Sequence, residues 1–230
     1  MIFHKAKALR IGGLLILLSA CGCGWRNAHA DRMKELAQEV RSSSTKVSAV
    51  ALSKLLDYSR GDNYWDKYYA LVHLGEIARD NENGQRKQII PVLIGALDDK
   101  DQAVRRDMVG VIRDIGSEAV DQALPSLLGF VKGGEENDVA WFAAEALGKS
   151  KDESHRAEII GVLLGALDKQ PRENLPDEAP QIRYYALSSL VEIGSQEPAV
   201  MALELKKRIA STDRNLSMRV AKAVARLRPN

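Results

Sequence analysis

Six residues of this chain come back almost unchanged 70 positions later, and that recurrence limits what it can fold into more than any other feature. Leu93-Ile94-Gly95-Ala96-Leu97-Asp98 returns as Leu163-Leu164-Gly165-Ala166-Leu167-Asp168, with five of six residues identical. Between them Leu127-Leu128-Gly129-Phe130-Val131 is a looser copy, and the three glycines fall 34 and 36 residues apart. A second pair is as clear: Lys67-Tyr68-Tyr69-Ala70-Leu71 and Arg183-Tyr184-Tyr185-Ala186-Leu187 lie 116 residues apart, three units of about 39. Each is followed by Leu, Glu and Ile at matching offsets: Leu74, Glu76 and Ile77, then Leu190, Glu192 and Ile193. A chain with such a period stacks copies of one supersecondary unit, because a single copy cannot bury its own apolar face.

The spacing within a unit predicts two amphipathic helices. The first carries Ile90, Leu93, Ile94 and Leu97, with Pro91 expected in its opening turn. The second carries Val104, Met108, Ile112 and Ile115, at helical intervals. Val139, Ala143 and Leu147, and then Ile182, Ala186, Leu190 and Ile193, take the same places. Gly116, Gly148 and Gly194 follow each second helix near its C-cap, and Asp98-Asp99-Lys100-Asp101 is a capping turn between the helices of one pair. Apolar residues are 45% of the chain but aromatics only 5%, a balance that suits a Leu, Ile, Val and Ala helical core better than a β-sandwich. A last unit runs from Met201 to Leu227, with Leu216, Val220, Val224 and Leu227 as its stripe.

This pattern of helix, Asp-containing turn, Val-Arg at the second helix start and Ala/Leu/Ile stripe resembles the HEAT repeat. Val104-Arg105 and Ile182-Arg183 match it, whereas Asp66-Lys67 and Val139-Ala140 depart and break any continuous Arg–Asp ladder. The resemblance covers residues 46–230 and implies an all-α fold, an α-solenoid of about five HEAT-like helix pairs, with armadillo-like stacking as the alternative.

The first 20 residues read as a targeting segment. Lys5, Lys7 and Arg10 precede the apolar run Ile11 to Leu18, too short to span a bilayer, which takes roughly 20 residues. Leu18-Ser19-Ala20-Cys21 then matches the lipobox of bacterial lipoproteins at all four positions. That resemblance implies cleavage before Cys21 and a diacylglyceryl group on its thiol; two or three acyl chains make such an anchor durable. A residue other than Asp after the Cys, here Gly22, implies the outer membrane if the cell is Gram-negative. Competing readings are secretory cleavage after Ala28-His29-Ala30, a retained membrane anchor, which length disfavours, and a Cys21–Cys23 disulfide, which a single intervening residue makes sterically poor. Residues 21–45 are then a lipidated N-terminus with a short helix from Asp31, its N-cap, to Arg41, bearing Met33, Leu36, Ala37 and Val40 on one face. The helix is either a tether or a cap on the first repeat, the tether being favoured.

Little in the chain points to catalysis. The four histidines are scattered, with His73 expected in a packed role, and no phosphate loop, nucleophile elbow or metal-ligand spacing appears, so no enzyme, cofactor or metal is expected. The net charge is +2; without the three leader bases 30 basic side chains face 31 acids, which gives no footprint for nucleic acid. Two places after the Arg position, helical geometry points a side chain away from the core stripe. Those places hold Tyr68, Arg106, Trp141 and Tyr184. In HEAT-like arrays second helices line the concave face, and aromatics with Arg are what interfaces favour, so these four are the candidate partner-binding residues. The bland alternative buries them against neighbouring repeats, as expected for Tyr69, Phe142 and Tyr185. The long turn Lys169 to Gln181, with three prolines, is either a binding loop or an insertion, and Glu135 to Asp138 a solvated turn. The expectation is a lipid-anchored scaffold that offers a concave surface to a protein or peptide in the bacterial cell envelope. The rivals are a structural or chaperone-like subunit of an envelope assembly and, behind it, an enzyme with an unrecognised site.

Overall fold

The computed structural model describes residues 27–41, 45–80, 84–133, 138–168, 179–194, 198–207 and 214–227. The leader with Cys21, Glu135 to Asn137, and the 169–178 stretch lie outside them. The described residues are helical throughout, without a strand: α1 (27–40), α2 (Thr45–Ser59), α3 (Tyr64–Asp80), α4 (Arg86–Gly95), α5 (Gln102–Ile115), α6 (Ser117–Gln122) and α7 (Leu124–Lys132), then α8 (Asp138–Leu147), α9 (Arg156–Asp168), α10 (Ala179–Gly194), α11 (Pro198–Lys206) and α12 (Arg214–Arg226). The fold is an all-α solenoid. The helices fall into five pairs among the described residues, α2–α3, α4–α5, α7–α8, α9–α10 and α11–α12, with α1 ahead of them and short α6 as an unforeseen bridge. The chain divides between α3 and α4 into two compact units.

In the first unit, α1 begins before Asp31, so that residue lies inside the helix and does not cap it. The tether reading is overturned by burial: Met33, Ala37 and Val40 are at most 3% exposed. Each large apolar side chain so covered contributes about 1.5–3 kcal/mol toward holding α1 against the first unit. Ser48 donates its hydroxyl to the Val40 carbonyl at 2.6 Å, tying α2 to the end of α1, and His29 Nδ1 lies 2.6 Å from Asp66 Oδ1 on α3. Asn63 caps α3 by accepting the Asp66 amide at 3.1 Å.

In the second unit the expected stripes are the core. Val104, Met108 and Ile112, Val139, Ala143 and Leu147, and Ile182, Ala186 and Leu190 are all fully buried, with Ile115 and Ile193 slightly less so. Side by side, α5, α8 and α10 pack as consecutive second helices, each against its own first helix. Asp101 caps α5 by accepting the Ala103 amide at 2.8 Å, and Asp99 accepts the Asp101 amide at 2.9 Å, as a capping turn requires.

Three expectations change. Pro91 sits past the opening turn of α4, inside the helix, whose buried side is Ile89, Ile90 and Leu93 with Ile94 only half-covered. The 169–181 turn is shorter than expected, because α10 already starts at Ala179; Pro180 falls in its first turn, where the missing N–H costs no helical hydrogen bond. Of the three glycines read as C-caps, Gly116 has φ 104° and ends α5 in a backbone conformation that favours glycine. Gly148 and Gly194 answer a different need: a Cβ on them would meet Ser189 at 2.7 Å and Met201 at 2.5 Å.

Candidate functional site

The four side chains singled out by spacing are all half-buried, so neither the fully outward nor the fully packed reading holds. Tyr68 lies in the first unit, where it stacks on Tyr64 with centroids 6.0 Å apart and meets Tyr69 edge-on at 5.5 Å. Trp65 joins this group, so four aromatics cover the first two turns of α3.

Arg106, Trp141 and Tyr184 belong to the second unit, on the successive helices α5, α8 and α10. Arg106 bridges two repeats, its guanidinium 2.8 Å from Asp107 and 3.2 Å from Asp138 at the head of α8. Asp107 and then Asp138 raise its affinity for the proton, against the effect of partial burial. Gln102 also donates to Asp138 at 3.1 Å. Trp141, one turn further along α8, has an indole N–H that is covered from solvent and has no acceptor among the described residues. Tyr184 is roofed by the Arg219 guanidinium, 4.1 Å above the ring centroid.

The residues expected to be buried behave no differently in kind. Phe142 and Tyr185 are half-covered and meet edge-on across α8 and α10 at 6.0 Å, with Arg113 above Phe142 at 5.8 Å. Arg113 also pairs with Glu145 of the next repeat, Lys149 with Glu192 at 2.8 Å, and Lys132 with Glu158 at 2.7 Å. Neighbouring repeats are thus cross-linked by ion pairs, which at such exposure add little and leave cohesion to the apolar stripes. At the Arg position of the repeats, Arg105 donates to the Asp99 carbonyl of its own turn at 2.8 Å, while Arg183 is 3% exposed.

His73 has a structural partner, with Nδ1 3.0 Å from Glu76 on the same helix. Burial pushes the Glu76 carboxyl up, but hydrogen bonds and charge from His73 and Arg41 outweigh it and hold the group below its ordinary value. Among the described residues no three His, Cys, Asp or Glu side chains gather as a metal site, and no helix is long and apolar enough to cross a membrane.

A feature the spacing argument passed over lies between α10 and α12. Tyr184, Ser188 and Val191 face Arg219, Lys222 and Arg226 across a groove of about 260 Å³. The signal was present in the sequence: α12 carries basic residues one and two turns apart and no acid.

No protein-family model matches this chain, and no curated protein does. Solved structures do resemble it. One engineered protein is 19% identical over 86% of this chain and 91% of its own, with a TM-score of 0.54. A second is 17% identical over 85% and 96%, with a TM-score of 0.51. A designed armadillo repeat protein is 17% identical over 84% and 99%, at 0.47. At these identities the likeness to the two engineered proteins speaks for the fold alone, an all-α solenoid.

Proposed function

We propose that this chain is a lipid-anchored, non-enzymatic interaction scaffold of the bacterial cell envelope, which holds a protein partner on the face made by its second helices. The anchor rests on the Leu18-Ser19-Ala20-Cys21 lipobox behind an apolar run, with Cys21 as the lipidated residue. The binding face rests on Arg106, Trp141 and Tyr184, three half-covered side chains of the types that dominate interface energetics, carried by successive second helices. Tyr68, on α3, is the candidate contact residue of the first unit, taken by itself.

The observation that carries the reading is the Trp141 indole. A covered N–H without an acceptor costs about 1–3 kcal/mol, and native interiors avoid that cost. A side-chain rotation that offers this donor to a partner's carbonyl would remove the penalty and place a large aromatic surface in the interface.

The test is a pull-down from detergent-solubilised envelope with the intact protein and with Trp141→Ala and Tyr184→Ala. Loss of one captured protein in both variants, with folding preserved, supports the scaffold. A stoichiometric complex indifferent to both substitutions would favour the assembly-subunit alternative. Mass spectrometry of the mature N-terminus tests the anchor, because an unlipidated chain starting at Asp31 would refute it.

A further inference from the structure

We infer that the groove between α10 and α12 is a receptor for an acidic peptide segment of the partner; the inference rests on the scaffold reading and names the chemistry of one part of its surface. Arg219, Lys222 and Arg226 recur at intervals of three and four residues, which places them on one stripe of α12 spanning roughly 10 Å. All three are exposed, and none has a carboxylate within ion-pair distance among the described residues. Arg86, Arg106, Arg113, Lys132, Lys149, Arg156 and Lys207 of the same unit each have an acidic partner. The exposed Lys87, Lys100, Lys151 and Lys206 show none among the described residues either, so what distinguishes α12 is that three such cations line one groove. The opposite wall of the groove is no source of compensation: the one acid of α10, Glu192, is occupied by Lys149.

The shape and the charge together select the occupant. Tyr184 lies under Arg219 and orients its guanidinium, which a planar carboxylate can meet with two parallel hydrogen bonds. Ser188 adds a hydroxyl to the groove, and Leu187, Val191 and Ala223 supply an apolar floor for the stems of Glu or Asp side chains. A bilayer surface is a poorer match, because recognition of anionic lipid uses about four to eight clustered cations on an open face, whereas this is a recessed groove with three. A nucleic acid is also a poorer match, since the ring that would stack a base is already covered by Arg219.

The experiment is fluorescence anisotropy of the whole chain with a labelled oligo-glutamate peptide, at low and raised salt, beside oligo-lysine and beside phosphatidylglycerol vesicles. The expected result is binding of oligo-glutamate only, weakened by salt, and reduced about tenfold or more by Lys222→Gln and by the pair Arg219→Gln with Lys222→Gln. Lys87→Gln, an exposed cation on α4, should leave it unchanged. Circular dichroism melts accompany each variant; should the pair unfold, the single Lys222→Gln decides, because that side chain is exposed. Equal binding by the Lys222 and Lys87 variants, binding of oligo-lysine, or preferential capture of vesicles would overturn the assignment. The scaffold reading fails separately: it falls if Trp141→Ala and Tyr184→Ala leave every captured protein in place, whatever oligo-glutamate does.

Discussion

Gly148 and Ser189 share a space that has no room for one more carbon. A Cβ on Gly148 would stand 2.7 Å from the Ser189 Oγ and 2.9 Å from its Cα, and in that gap the hydroxyl donates to the Ala144 carbonyl at 2.8 Å. Helix α10 therefore approaches the end of α8 closely enough for a side chain of one repeat to bond the backbone of the one before.

Gly148→Ala should accordingly destabilise the protein. An alanine in a helical stretch ordinarily gains about 0.5–1 kcal/mol over glycine, but forcing α10 away costs about 1–3 kcal/mol, so the net is a loss. Gly95→Ala and Gly165→Ala, where nothing lies within 4 Å, should show the opposite sign. Urea midpoints of the three variants decide the matter, and a stabilised Gly148 variant would contradict the close approach.

Trp141→Phe removes the indole donor that has no acceptor among the described residues, and keeps most of the ring. Stability should hold or rise by about 1 kcal/mol, since a buried unsatisfied group disappears, while partner capture weakens. A large drop in the unfolding midpoint would mean that the nitrogen is engaged in the free protein.

The turn before α9 should report on acid. Hydrogen bonds from Ser154 and then His155 lower the Asp152 carboxyl to about 2. A carboxyl lowered on folding stabilises the native state above its ordinary pKa, and that contribution is lost as the pH falls toward the lowered value. The melting temperature of the wild type should therefore fall more steeply from about pH 4 to pH 2 than that of Asp152→Ala, with the two curves converging at the acid end. Parallel curves would show that the turn carries no such linkage.

Removing residues up to Ala30 takes away the first turn of α1 and the His29–Asp66 bond, at an expected cost of about 1–3 kcal/mol. A variant starting at Asp31 should melt earlier than one starting at Gly22, and His29→Ala should reproduce part of the difference. Equal melting temperatures would mean that α1 needs nothing before Asp31.

How much of this was readable in advance followed the range of the interactions. Periodicity is local, so the stripe Val104, Met108, Ile112 and Ile115 and its counterparts were visible as a core, and with them the helix pairs. The capping turn at Asp99 and Asp101 was visible for the same reason. The start of α1 was misplaced because His29 is held by Asp66, 37 residues away, and no neighbouring residue announces it. Gly148 and Gly194 looked like Gly116, yet their demand comes from Ser189 and Met201 on other helices. The basic stripe of α12 lay in plain view, but Arg219 acquires its meaning from Tyr184, which only the fold brings beside it.

The early start of α1 also bears on geometry at the membrane. Cys21 precedes Asn27 by six residues, and an extended chain advances at most about 3.6 Å per residue. On the proposed anchoring, the first helix begins within roughly 20 Å of the lipid, a leash about as long as a small protein is wide. A partner of this protein would then be met close to the bilayer surface, and membrane-bound or membrane-emerging proteins would have the readiest access to it.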